Sequence, residues 1–149
     1  MKSDFLSNLL LTITGIILST NIILMSLFPA KNSFLINLGY TILIVGLLLV
    51  FISIWTIRKK KNNKIIKKGI YSIVRHPMYL GGMIMFFSHF FIGQNLKVSI
   101  LTIIGIISCY LIINIEDENS VKKFGKSYTE YQDLTPKINI IYGIFKIFR

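Results

Sequence analysis

Gly69-Ile70-Tyr71-Ser72-Ile73-Val74-Arg75-His76-Pro77-Met78-Tyr79-Leu80-Gly81-Gly82 is the stretch whose reading decides the fold. Titratable, aromatic and glycine residues crowd there at the edge of an apolar run. Pro77 has a fixed φ and no N–H, which suits the first position of a helix and not its interior. A helix is therefore expected to start at Pro77, with Arg75 and His76 just before it. Amides exposed at a helix start face any anion placed there. The Gly81-Gly82 pair lets another helix or a flat ligand approach the backbone closely. His76, Tyr79 and Leu80, at i, i+3 and i+4, fall on one face.

Outward from this stretch the chain is apolar. Of 149 residues 53% are hydrophobic, too many for a soluble domain of this size. Four apolar blocks stand out, at about 5–28, 34–57, 78–93 and 98–115. The first two are long enough to cross a bilayer, which takes about 20 apolar residues. The third is short and contains glycine; the fourth is borderline by itself. The expectation is an all-α integral membrane bundle of about four transmembrane helices with a helical C-terminal tail. It forms one domain over 1–149: two N-terminal spans in 1–57, a motif region in 58–137 and an interfacial tail in 138–149. The first block is too long for the apolar core of a cleaved leader and reads as a retained helix.

The 17 basic residues give a formal net charge of +11. They cluster between the second and third blocks (Arg58, Lys59, Lys60, Lys61, Lys64, Lys67, Lys68) and after the fourth (Lys122, Lys123, Lys126, Lys137, Lys146, Arg149). The short connections at 29–33 and 94–97 carry only Lys31 and Lys97. By the positive-inside rule the 58–76 loop, the tail and both termini face the cytoplasm. Membrane topology and attraction to anionic lipid account for the charge, so nucleic acid is not expected as a partner. The Lys, Ile and Asn content points to a microbial plasma membrane.

Within the first block, Asn21 and several hydroxyl residues suit helix–helix hydrogen bonding. Gly39 and Gly46 in the second block are placed to pack against the first. Trp55 suits an interfacial anchor. His89 lies about 20 Å along a helix from His76 and is not expected in the same site. It reads either as a functional group within the membrane or as a neutral imidazole with one partner. Cys109, the one cysteine, reads as a small buried residue. It allows no disulfide within the chain, and no His/Cys set stands ready for a metal.

The fourth block runs without Pro or Gly into Asn114-Ile115-Glu116-Asp117-Glu118. Its helix is expected to leave the membrane near Asn114 and continue to about Lys123. Tyr110, Asn114 and Asp117 share a face, and Glu116 points about 100° away from Asp117. Gly125 suits a helix stop. Tyr128 and Tyr131 sit at i, i+3 on a further short helix that Pro136 ends; by themselves they read as interfacial aromatics.

Taken together these residues resemble the isoprenylcysteine carboxyl methyltransferase and phospholipid methyltransferase superfamily. The pattern is Gly69/Tyr71, then Arg75-His76-Pro77-Met78-Tyr79-Leu80-Gly81, then Glu116-Asp117, then Phe124-Gly125/Tyr128/Tyr131. Order and spacing match over about residues 63–137. The resemblance implies a membrane enzyme that uses S-adenosylmethionine without a Rossmann domain. It implies cofactor contacts from Asn63, Lys64, Ile65, Ile66, Tyr71, His76, Pro77, Met78, Tyr79, Gly81, Glu116 and Asp117, with Arg75 and Glu116 as catalytic residues. The chemistry agrees. Arg75 and the helix start suit a carboxylate, the two acids suit ribose hydroxyls or an ammonium, and Tyr71 and Tyr79 suit adenine or a sulfonium.

The acceptor implied is lipophilic and enters from the bilayer, either a carboxylate of the isoprenylcysteine type or a phospholipid amine. The prenylcysteine enzymes carry an arginine four residues before the acidic pair, where this chain has Ile112. Two alternatives stand beside this reading. One is an NADPH-dependent reductase of the sterol-reductase kind, which shares a similar C-terminal hairpin but is generally longer. The other is a non-catalytic membrane protein in which the motif is packing alone.

Overall fold

The computed structural model describes residues 2–59 and 65–147. Six α-helices account for most of them: α1 (Lys2–Leu27), α2 (Ser33–Arg58), α3 (Pro77–Gly93), α4 (Leu96–Phe124), α5 (Lys126–Leu134) and α6 (Ile140–Ile147). One 3₁₀ turn, Gly69–Ser72, precedes α3, and the described residues contain no strand. α1, α2 and α4 are long and apolar enough to cross a membrane. α3 is shorter, 17 residues, or about 25 Å at 1.5 Å per residue. Four membrane helices with a helical tail are the architecture expected from the hydropathy.

The helix ends follow local chemistry. α1 stops ahead of Pro29. Asn32 caps α2, its side chain accepting from the Leu35 amide, and Asn95 caps α4 by accepting from Lys97. Pro77 takes the first position of α3, as its missing N–H requires. Gly125, at φ +55°, ends α4, and α5 starts one residue later. Opposite the motif end, the two short connections are tied together. Gln94 Nε2 donates to the Asn32 carbonyl and the Asn32 amide donates to Gln94 Oε1.

The bundle is inverted relative to a soluble protein. On α2 only Gly39, Gly46 and Ser53 are buried, while Phe34, Ile44, Leu48 and Phe51 are exposed. Large apolar side chains face outward toward lipid and small ones face the neighbouring helix, because close backbone approach is what holds membrane helices together. The glycines of α2 meet α3 and not α1, which corrects the sequence expectation. A Cβ on Gly46 would lie 2.8 Å from the Gly81 carbonyl, and one on Gly39 would lie 2.6 Å from the Ile92 side chain. The packing runs α2 on α3, α3 on α4 and α4 on α1. The reason is the position of the small residues. Gly81 on α3 matches Gly46 on α2, and Gly105 on α4 receives the Phe86 ring of α3.

Candidate active site

The start of α3 is held by the tail. The amides of Arg75 and His76 donate to the carbonyls of Pro136 and Lys137, at 3.0 and 3.2 Å. The Tyr131 hydroxyl donates to the Tyr71 carbonyl. Gly143 of α6 lies against the Ile73 backbone with no room for a side chain. These contacts use the peptide groups that the turn before Pro77 leaves free of helix bonding.

Asp117 is the hub. His76 Nε2–H donates to Oδ1 at 2.7 Å, and the Tyr128 hydroxyl donates to the same oxygen at 2.6 Å. Arg75 Nη2 donates to Oδ2 at 3.3 Å, and Lys137 Nζ stands 3.6 Å from it. Lys137 also donates to Asn114 Oδ1 at 2.7 Å and lies over the Tyr110 ring. Tyr110, Asn114 and Asp117 thus act as one face, as their helical spacing requires. Asp117 is buried, two residues past Ile115, where the long apolar run of α4 ends. Burial alone would raise its pKa, but hydrogen bonds from His76 and Tyr128 and the nearby His76 and Arg75 outweigh it. The carboxyl falls from its ordinary 3.8 to about 2. Burial and the Asp117 bond push the Tyr128 phenol up, and burial pushes Tyr71 up to about 12. Both remain hydroxyl donors at neutral pH.

Beside this hub lies a cavity of about 240 Å³. Its apolar wall is Ile57, Ile65, Ile66 and Phe124; its polar wall is Tyr71, Arg75, His76, Ser120, Tyr128 and Tyr131. Arg75 Nε is buried without a hydrogen-bond partner among the described residues. Arg75 on this wall and Lys137, which lines a separate hollow with Asn114, Asp117 and Glu118, share the carboxylate of Asp117.

The sequence-derived residues separate into groups. Ile65, Ile66, Tyr71, Arg75 and His76 line the cavity. Asp117 stands behind it, bonded to its polar wall. Pro77 is buried beneath the His76 cap. Met78 and Gly81 are not among the lining residues, and Gly81 is covered by α2. Asn63 and Lys64 fall outside the described residues. Glu116 does not meet His76; the neighbouring acid does, bonding it from behind the cavity wall. Glu116 is half-buried and turns to α1, where the Ser7 hydroxyl donates to it at 3.1 Å. Tyr79, on the first turn of α3, has its ring 6.1 Å from that of His76. Tyr128, Tyr131, Lys137, Ser120, Phe124 and Ser7 were not identified as site residues from sequence. The family pattern that includes Tyr128 and Tyr131 was the available signal; Lys137 and Ser7 carry none.

A family model described as phospholipid methyltransferase matches residues 34–127, more than half of the chain, covering α2 from its second residue and all of α3 and α4. The chain belongs to that family. Comparisons with curated proteins and with solved structures return no match. The resemblance read from the motifs is the family found. A phospholipid methyltransferase family member built of apolar helices is an integral membrane methyltransferase with a lipid-like substrate.

Proposed function

We propose that this family member moves a methyl group from S-adenosylmethionine to the amine of a phospholipid-like acceptor. The observation that carries the reading is the unequal fate of two adjacent acids. Asp117 is fully engaged by Arg75, His76 and Tyr128, whereas Glu116 has a single serine hydroxyl. The engaged acid orders a binding wall; the other is free to take a proton.

The residues suit the cofactor. Arg75, with its unpartnered Nε, suits a carboxylate. The aliphatic wall of Ile57, Ile65 and Ile66 with the Tyr71 and Tyr131 rings suits a flat base. Bound there, the cofactor supplies an electrophilic methyl on sulfur. Glu116 would take the proton of the acceptor's ammonium and free the nitrogen lone pair for the methyl group, which the cofactor would give up from its sulfonium, leaving a neutral thioether. Holding both groups in line supplies much of the acceleration. Ile112, fully buried where an arginine would hold a prenylcysteine carboxylate, favours the amine. The basic 58–68 segment favours a cytoplasmic site, with both termini on that side.

Purified protein in lipid nanodiscs tests this with labelled S-adenosylmethionine and an ethanolamine phospholipid. His76→Ala is expected to abolish cofactor binding. Glu116→Gln is expected to keep binding and lower turnover about 10²- to 10⁴-fold, the range for loss of a general base. Unchanged binding in His76→Ala refutes the cofactor assignment; unchanged turnover in Glu116→Gln refutes the base.

A further inference from the structure

A second cavity, of about 590 Å³, opens between α1, α2 and α3 at the opposite end of the bundle. Its wall is mostly apolar: Leu18 and Ile22 from α1, Leu43 and Leu47 from α2, Met85 and Ile92 from α3. It exists because α1 packs on α4 while α2 packs on α3, so the first two helices splay apart. Pro29 and Ala30 close it at the loop, and below it the Gly46–Gly81 approach brings α2 and α3 together. Ile22 and Leu47 are about half exposed and form rims that face the bilayer.

One polar group interrupts this wall. His89 lines the cavity and is only 3% exposed. Its Nδ1 accepts from Asn21 Nδ2 at 3.2 Å, and the same amide donates to Thr102 Oγ1 at 3.2 Å. An imidazole that accepts at Nδ1 carries its proton on Nε2. That N–H has no hydrogen-bond partner among the described residues. Asn21 Oδ1 is buried without a partner among the described residues. An unmet donor in an apolar cavity is costly, and an occupant bearing an oxygen acceptor removes the cost.

Depth narrows the occupant. His89 stands four residues before Gly93, the end of α3, or about 6 Å from it. With the end of α3 taken as the membrane surface, His89 falls near the boundary between hydrocarbon and headgroup region, where the ester carbonyls of membrane lipids lie. A helix from a second copy is about 10–12 Å across with its side chains, too broad for a chamber closed at both ends. A single acyl chain is slender enough.

We propose that the α1–α2–α3 cavity binds an ester-linked acyl lipid of the bilayer. One acyl chain fills the apolar chamber, and its ester carbonyl accepts from His89 Nε2–H. About 20 Å of helix separates His89 from His76, so this lipid is distinct from the methyl acceptor. The proposal does not depend on the methyltransferase mechanism.

Full-length protein in phosphatidylcholine nanodiscs doped with a diester phosphatidylcholine carrying a mid-chain diazirine tests it. Photolysis and peptide mass spectrometry should place adducts on the cavity wall, at Leu18, Leu43, Leu47 or Met85, above those on Ile44 and Leu48 of the outer α2 face. Leu43→Trp, which fills the chamber, should remove them. On the wild type an ether-linked competitor, lacking the carbonyl, should need about fivefold more than a diester competitor, the worth of one hydrogen bond. That difference should vanish in His89→Leu. Adducts spread evenly over α2, equal competition by ether and ester on the wild type, or protein–protein adducts across the cavity would each overturn the proposal. Because the competition is read on the wild type, a misfolded variant does not obscure the answer.

Discussion

At the Pro77 end of the bundle a histidine is buried against a carboxylate; at the Gly93 end another is buried against an amide. His76 shares Asp117 with Arg75, Tyr128 and Lys137, so four groups from the motif and the tail converge on one acid. His89 belongs to a neutral triad with Asn21 and Thr102 that joins α1, α3 and α4. The first arrangement is charged and lies where α4 has left its apolar run. The second is uncharged and lies within the apolar run. Desolvation explains the placement, since an isolated charge in hydrocarbon is far more costly than a neutral dipole. Charge is therefore concentrated at one end, where it can act on a charged ligand. The other end keeps only hydrogen bonds.

This contrast is open to direct test. The largest effect is expected from Asp117→Ala, which strands the buried Arg75 guanidinium. Breaking a buried ion pair in this way costs about 3–5 kcal/mol, and a large fall in melting temperature in detergent should report it. Tyr128→Phe removes one donor to the same carboxylate and should cost about 1.5–3 kcal/mol, the range for a hydrogen bond to a charged group.

Acid should act on the first cluster in the same sense. The Asp117 carboxyl titrates lower in the folded chain than its ordinary 3.8, so its contribution is complete above that value. It is lost as pH falls toward about 2. The wild type should therefore lose melting temperature between pH 4 and pH 2 more steeply than Asp117→Asn. Equal slopes would mean that the cluster contributes no charge-dependent stability.

The smallest effect is expected at the other end. Asn21→Leu combined with His89→Leu removes both partners together and should change stability by less than about 1 kcal/mol, with Thr102 free to bond its own helix. If this double variant is as destabilised as Asp117→Ala, the two ends do not differ in the way described.

Much of the fold was legible in the residues. The helix start at Pro77, the stop at Gly125 and the run of α4 past Asn114 follow from what each backbone position permits. The burial of Asn21 between helices was also legible, because an amide in a lipid-facing position has no partner. The candidate site was legible only in part. Helical spacing separated Glu116 from Asp117 by about 100° but could not say which of them faces His76. Lys137 and the carbonyl of Pro136 join the site from a segment about 60 residues beyond Arg75, with no local pattern to mark them.

The sequence by itself determined which segments are helical, where they end and that they lie in a membrane, because hydropathy and backbone permissions act over a few neighbouring residues. Only the tertiary structure decided that α2 joins α3 and not α1, that Asp117 is the engaged acid and Glu116 the freer one, and that α1 and α2 splay around a chamber. Those outcomes depend on how small residues on separate helices match in register, and that matching exists only once the helices have packed.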